Sequence, residues 1–285
     1  MKNILVVGPT GTVGGELVKQ LSAAGHRPRA LVRDPRKAEA VKAFAEPVIG
    51  DLARPDTLPR AFQGAERVFV LAPPTPDQEM LERNALDAAI AAGARRVVFL
   101  SNYGAAEGDP DRHFHVHGMH ERLLASMSVD WTVLRPTRFM THTPFVWPSV
   151  LNRGLLIEAP VDGAMTVIDP VDIAAVALKA LTENGHEEKT YELTSDDSFT
   201  TAELARMLSR ILRRDIALFD GDVDALRAAL IENGAPGEYA PLMAGYFAKV
   251  AAGVWKRTET VAQLLGRAPR AYAHWLEQNL PIARW

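Results

Sequence analysis

A doubly wound α/β sheet followed by a smaller, mostly helical lobe is the fold this sequence predicts, on three observations. Short β-branched runs alternate with helical segments through the first half, which at this spacing implies parallel strands joined by right-handed crossovers. Those runs are apolar without polar alternation, as strands covered on both faces are. A glycine-rich turn joins the first run to the first helix, at the strand ends where such sheets bind their ligands.

The elements follow in order. Ile4–Val7 is the first strand and Gly14–Ala24 its helix. Arg29–Val32 and a helix over Arg36–Phe44 come next, then Pro47–Ile49 with a helix over Pro55–Gln63. Val68–Leu71 pairs with a helix over Asp77–Ala92, and Val97–Leu100 with one over Phe114–Ser126. Thr132–Leu134 is the sixth strand. After Arg135 the pattern changes: Pro136, Pro144 and Pro148 break a stretch of large apolar groups. Met165–Ile168 reads as a strand, Asp169–Leu181 as a helix with Pro170 near its start, and Tyr191–Thr194 as a strand. Helices dominate from Thr200 on: Thr201–Leu212 with Thr201 as its cap, Val223–Asn233, Tyr239–Ala252 and Glu259–Leu265.

Composition narrows the function. The 285 residues are 47% apolar and 24% charged, an ordinary globular balance. The 32 basic against 35 acidic side chains leave a net charge of −3, without the basic excess of a general nucleic-acid binder or a polybasic membrane binder. With no cysteine, disulfides, thiolate metal sites and a cysteine nucleophile are excluded. The apolar run at the N-terminus is shorter than a signal peptide, and no stretch approaches the ~20 apolar residues of a membrane span. These features point to a cytoplasmic protein with no nucleic-acid or membrane partner, and the expected partner is a small-molecule substrate. Whether it is a monomer or a homodimer stays open.

Gly8-Pro9-Thr10-Gly11-Thr12-Val13-Gly14 opens from the first strand into a helix. Such glycines let the backbone turn sharply and approach a pyrophosphate, which the helix N-terminus then meets with unpaired N–H groups. The loop therefore predicts a dinucleotide-binding Rossmann sheet. At the end of the second strand an acidic residue would select NAD(H), and an arginine would accommodate the 2′-phosphate of NADP(H). The chain reads Arg33-Asp34-Pro35-Arg36-Lys37 there. Arg33, with Lys37 behind it, favours NADP(H) over NAD(H).

With these residues in place the chain resembles the NmrA-like branch of the atypical short-chain dehydrogenase/reductases over nearly its whole length. The likeness rests on Gly8–Gly14, Leu31–Pro35, Gly50-Asp51-Leu52, Ala72-Pro73, Val98–Tyr103 with Gly104, Trp131–Pro136 and Glu259–Pro269. It implies that Asp51 and Leu52 meet the adenine and that Leu71, Ala72 and Pro73 border the cofactor ribose. It places Ser101 and Asn102 beside the nicotinamide, with Pro136, Thr137 and Phe139 covering it. The Tyr-x-x-x-Lys pair of ordinary short-chain dehydrogenases is absent: its two positions fall on His113 and His117. Some relatives carry histidine at the lysine position, where it bonds the ribose. The expected division is a cofactor domain over 1–150, with 166–183 packing back on its sheet, and a substrate lobe over 151–285.

Asp111–Glu121 holds four of the eight histidines. On a helix His113 and His117 share a face, with His120 adjoining. No convincing third ligand and second shell accompany them, so no metal is expected. His117 is the candidate ribose anchor or proton donor, and Tyr103 the other candidate acid. Phe139, Met140, Phe145 and Trp147 form either an aromatic substrate wall or the packing of the second lobe; Tyr239, Met243, Tyr246 and Phe247 pose the same choice for a lid. The reading is an NAD(P)H-dependent reductase passing hydride to an electron-poor quinone, azo compound, imine or enone. Its rivals are a non-catalytic NADP(H) sensor and a biosynthetic enzyme performing dehydration, cyclisation or ring opening.

Overall fold

The computed structural model describes residues 3–159, 163–235 and 239–280. In chain order the first strands and helices are β1 (Ile4–Val7), α1 (Thr12–Ala23), β2 (Arg29–Val32), β3 (Glu46–Ile49), α2 (Leu58–Phe62) and β4 (Arg67–Val70). Then come α3 (Gln78–Ala91), β5 (Arg96–Leu100), α4 (Arg112–Ala125), β6 (Asp130–Pro136), β7 (Arg138–Phe139), α5 (Trp147–Arg153), β8 (Leu155–Leu156) and β9 (Val167–Ile168). The rest are α6 (Pro170–Thr182), β10 (Lys189–Leu193), α7 (Thr201–Leu212), β11 (Ala217–Leu218), α8 (Val223–Glu232), α9 (Tyr239–Ala251), α10 (Thr260–Leu265) and α11 (Tyr272–Asn279).

Two compact units emerge. The first comprises Met1–Pro136 and Pro170–Leu193, the second Thr137–Asp169 and Thr194–Trp285. The chain returns to the first unit because β10 pairs with β6, from Lys189 against Thr132 to Leu193 against Pro136, while α6 lies on α1. The line drawn at 150 from the sequence falls inside α5 of the second unit.

The first unit is built on a seven-stranded sheet in the order β10-β6-β5-β4-β1-β2-β3, every pairing parallel. Its strand order reverses at β1 and β4, the switch point where doubly wound sheets open a ligand crevice. One core packs Leu5, Val7, Val68, Val70, Val97, Phe99 and Val133 of the sheet against Phe62, Leu86 and Ala89 of the helices. At the opposite end of the strands, buried Arg96 donates to the Ala180 carbonyl at 3.0 Å and to that of Glu183, and Arg67 donates to Leu181. Cations there meet the carbonyls that a helix C-terminus leaves unpaired.

Two expectations fail locally. No helix forms over Arg36–Phe44: Pro35–Lys37 makes a single 3₁₀ turn and successive turns follow. Only Val41 and Ala45 are buried there, too narrow a stripe to hold a helix on the sheet. The cap of α7 is Thr200 rather than Thr201. Its side chain accepts from the Glu203 N–H at 3.2 Å while Glu203 accepts from the Thr200 N–H at 2.8 Å, a complete capping box. Thr200→Ala is expected to lower unfolding free energy by about 1 kcal/mol, read as a shifted urea midpoint at constant slope.

The second unit is helical around two short parallel ladders, β7 with β9 and β8 with β11. The sequence missed α5 and α11. At α5, Pro144 and Pro148 read as breakers; Pro148 in fact sits in the first turn of the helix, where proline costs no hydrogen bond. Tyr272 stacks on Phe199 at 5.1 Å and Trp275 faces Trp147 at 6.2 Å. In the same unit Arg138 pairs with Glu158 at 2.5 Å, both buried. Among the described residues no helix is long and apolar enough to cross a membrane.

Candidate active site

The loop between β1 and α1 is shaped by contact. Gly8 has φ +74°, a conformation that favours glycine. Gly11 donates to the Gly8 carbonyl at 3.1 Å. A Cβ on Gly14 would lie 2.2 Å from the Gly8 oxygen, so only glycine lets the first turn of α1 close on the loop. No side chain caps α1 and its first turn holds no acid. The amides of Thr12, Val13 and Gly14 are therefore left without intrahelical partners at the positive end of the helix dipole. A cavity of about 410 Å³ opens beside the loop, lined by Thr10, Gly11, Thr12, Lys19, Val41 and Phe44 among others. Tight loop, uncapped amides and adjoining cavity together fit the phosphates of a dinucleotide.

At the end of β2, Arg33 and Lys37 are exposed. Asp34 is not free: its carboxylate accepts from the Arg36 backbone N–H at 2.9 Å and from the Arg36 guanidinium at 2.8–3.0 Å. These bonds hold its carboxyl below the usual aspartate range. Past β3, Asp51 accepts from the Ala53 N–H at 3.0 Å, and the Leu52 carbonyl from Asn84 at 2.7 Å. Leu71, Ala72 and Pro73 follow β4, and the Leu71 carbonyl would lie 3.1 Å from a Cβ on Gly8. All these positions lie at or just beyond the carboxyl ends of parallel strands.

Beyond β5, Ser101, Asn102 and Tyr103 are buried. The Ser101 and Tyr103 amides continue the ladder, donating to the Leu134 and Pro136 carbonyls at 2.8 and 2.9 Å. The Ser101 hydroxyl donates to Glu121, which also holds Arg135, whose Nε lies 2.9 Å from Oε1. A Cβ on Gly118 would come within 2.3 Å of the backbone at Ala106 and Glu107, so the loop after β5 lies directly on α4.

His113, His117 and His120 gather between α3 and α4. Gln78 Nε2 lies 3.1 Å from His117 Nε2 and donates to Glu82 Oε1 at 3.0 Å. His120 Nδ1 lies 2.7 Å from Glu82 Oε2, and His117 Nδ1 3.7 Å from Glu82 Oε1. Gln78, Glu82, His117 and His120 are all buried, and both imidazoles meet Phe99 edge-on. Burial, reinforced by His113 and His120, holds the His117 pKa well below the usual histidine value. Burial and then Arg112 bring His113 down to about 4. Both rings are neutral at neutral pH. Burial raises the Glu82 carboxyl, against the lowering bonds from His120 and Gln78. Among the described residues no three His, Asp or Glu side chains converge on a metal position.

In the second unit Phe139, His142, Phe145 and Tyr239 form one ring cluster, with Phe139–His142 at 5.2 Å and Phe145–Tyr239 at 4.3 Å. Thr137 is buried, and Trp147 packs on Trp275. Met140 is fully buried in the second unit. Tyr239, Met243, Tyr246 and Phe247 are likewise buried along α9. Sequence reasoning missed Gln78, Glu82 and Glu121; a Gln and a Glu one turn apart on the buried face of α3 was the available signal.

Residues 8–184 match the family model described as NAD(P)H-binding. The chain belongs to that NAD(P)H-binding family. Within it the chain falls among the atypical short-chain dehydrogenase/reductases, as the sequence led us to expect. The NAD(P)H azoreductase of Xenophilus azovorans is 33% identical over 281 residues, 97% of each chain. The (4-alkanoyl-5-oxo-2,5-dihydrofuran-3-yl)methyl phosphate reductase of Streptomyces griseus is 33% identical over 286 residues, again 97% of each. The solved NADPH-dependent quinone oxidoreductase of Escherichia coli, complexed with NADPH, superposes with a TM-score of 0.89 at 26% identity, covering 96% of this chain and 99% of that one. The protein is an NAD(P)H-dependent oxidoreductase. The reductase carries the glycine loop and has His113 and His117 where ordinary short-chain dehydrogenases have their Tyr-x-x-x-Lys pair.

Proposed function

We propose that this reductase takes NADPH in preference to NADH and delivers hydride to a flat, electron-poor acceptor: a quinone, azo compound, imine or enone. The observation that carries the cofactor preference is the Asp34–Arg36 bond set. An aspartate that would otherwise accept from a ribose 2′-hydroxyl is bound to Arg36 instead, while Arg33 and Lys37 remain exposed for a 2′-phosphate. The names of the azo, quinone and dihydrofuranone relatives support the acceptor class.

When bound, the cofactor supplies the hydride. The amides of Thr12, Val13 and Gly14 hold its pyrophosphate, with Gly8, Thr10 and Gly11 shaping the turn. Asp51 and Leu52 border the adenine; Leu71, Ala72 and Pro73 border the ribose. Ser101, Asn102 and Pro136 attend the nicotinamide. Electron-poor acceptors take hydride without a strong acid, and the buried neutral His117 matches that chemistry, since an uncharged imidazole donates a hydrogen bond without acting as an imidazolium. Tyr103 or water supplies the proton. Within the second unit, half-buried Phe139, Phe145 and Trp147 are aromatic groups of the kind that suit a flat acceptor.

Nicotinamide fluorescence titrations with NADPH and NADH, followed by addition of a quinone and an azo dye, test the reading. Arg33→Ala is expected to weaken NADPH about 10- to 100-fold, the worth of one charge-assisted contact, and to leave NADH unchanged. Equal loss for both nucleotides, or none for either, overturns the preference. Binding without turnover on any acceptor overturns the acceptor class.

A further inference from the structure

Five polar side chains lie in the interface of α3 and α4, and they form a directional chain. Glu82 has two carboxylate oxygens and both are used: Oε2 by His120 Nδ1 at 2.7 Å, Oε1 by Gln78 Nε2 at 3.0 Å. A carboxylate oxygen that accepts from Gln78 fixes which end of that amide faces it. The same NH₂ group stands 3.1 Å from His117 Nε2, and an amide nitrogen only donates. His117 Nε2 must therefore accept, and its single proton must sit on Nδ1. Gln78 Oε1 is turned to His113 Nδ1 at 3.4 Å. The His117 Nδ1–H that results has no hydrogen-bond acceptor among the described residues: Glu82 Oε1 stands 3.7 Å away. A buried donor left unpaired calls for an oxygen from outside the chain.

We propose that Glu82, acting through Gln78, is a positioning residue that locks His117 as its Nδ1–H tautomer and so presents a neutral donor to an oxygen of the bound nucleotide's ribose or of the reduced acceptor. This rests on the reading of His117 as the ribose anchor or hydrogen-bond donor at the active site. Buried His117 stays neutral beside His113, His120 and Arg112 of its own helix and Glu82 of α3, so a tautomer, and not a charge, is what the network sets. A histidine tautomer is normally set by the bond its other nitrogen makes; here that bond comes from an amide whose orientation a buried carboxylate dictates.

The test is Glu82→Gln. An amide at 82 offers its own NH₂ to Gln78, allowing that side chain to turn its oxygen toward His117 and draw the proton to Nε2. Imidazole ¹⁵N NMR of the nucleotide-free protein reads this directly. The wild type is expected to show a protonated Nδ1 and a bare Nε2 on His117, and Glu82→Gln to shift the proton to Nε2 in whole or in part. Fluorescence titration with NADPH is expected to weaken about tenfold in Glu82→Gln and in His117→Ala, with no further loss in the double variant, because both remove one donor. An Nε2–H tautomer in the wild type, an unchanged tautomer in Glu82→Gln, or additive losses would each overturn the proposal. Glu82→Asp, which keeps the carboxylate, is expected to retain the Nδ1–H tautomer, and a shift to Nε2 there counts against it. If the tautomer switches but NADPH affinity does not move, the lock stands and the placing of His117 beside the nucleotide is what fails.

Discussion

Gly14→Ala is expected to abolish measurable NADPH binding and to destabilise the first unit. The added Cβ would lie 2.2 Å from the Gly8 oxygen and 2.8 Å from its carbon. Both are backbone atoms, so no rotamer change relieves the clash. Either α1 retreats from the loop or Gly8 leaves its φ of +74°; each spoils the approach of a phosphate to the amides of Thr12 and Val13. Overpacking of this kind costs about 1–3 kcal/mol in stability. The loss in affinity is larger in consequence, since a loop displaced by half an ångström forfeits several short N–H bonds together. We expect at least about a 100-fold rise in Kd, about 2.7 kcal/mol, by nicotinamide fluorescence. Gly25→Ala is the control. Gly25 also has positive φ, but a Cβ there meets nothing within 4 Å, so it strains the backbone away from the loop and leaves affinity unchanged. Undiminished NADPH binding by Gly14→Ala would mean that the loop is not the phosphate site.

That prediction draws on what was most legible in the sequence. The strands at Ile4–Val7 and Arg29–Val32 coincide with β1 and β2 to the residue, because strands buried on both faces leave uninterrupted apolar runs between turn residues. The glycine loop was legible because three glycines between a strand and a helix serve a single geometry. The region over Arg36–Phe44 was not, because its helix-favouring residues outnumber its apolar anchors, and the anchors decide whether a short helix persists. The cap at Thr200 lay one residue from its expected place, since Thr200 and Thr201 read alike until the reciprocal bond of Glu203 separates them. The role of Asp34 was ambiguous in sequence for a related reason: a carboxylate selects against a 2′-phosphate only when it faces the ribose, and its capture by Arg36 is a matter of rotamers. The α3–α4 network was out of reach. Gln78 and Glu82 stand about 35–40 residues from the histidines they meet, and no local pattern joins them.

In the second unit the largest single loss is expected from Glu158→Gln or Arg138→Met. The pair is 2.5 Å apart with side chains 1% and 3% exposed, so neither charge has water to fall back on. Burial works against the Arg138 charge; the Glu158 carboxylate overcomes it and lifts the guanidinium pKa above the usual arginine value. Removing one partner strands the other, and uncompensated buried charges typically cost about 3–5 kcal/mol. The damage spreads through β7, because Arg138 is registered against Val167 of β9 and Phe139 against Ile168. Trp147, Trp255 and Trp275 of this unit report its unfolding in urea. A midpoint that falls sharply for either single variant, with much of the loss recovered in Arg138→Met/Glu158→Leu, would show that the pair specifies the unit more than it stabilises it, since a well-packed apolar pair often replaces a buried ion pair without penalty. A double variant as unstable as the singles would instead assign the pair direct stabilising work. Single variants that unfold like the wild type would mean that water or another group already solvates these charges.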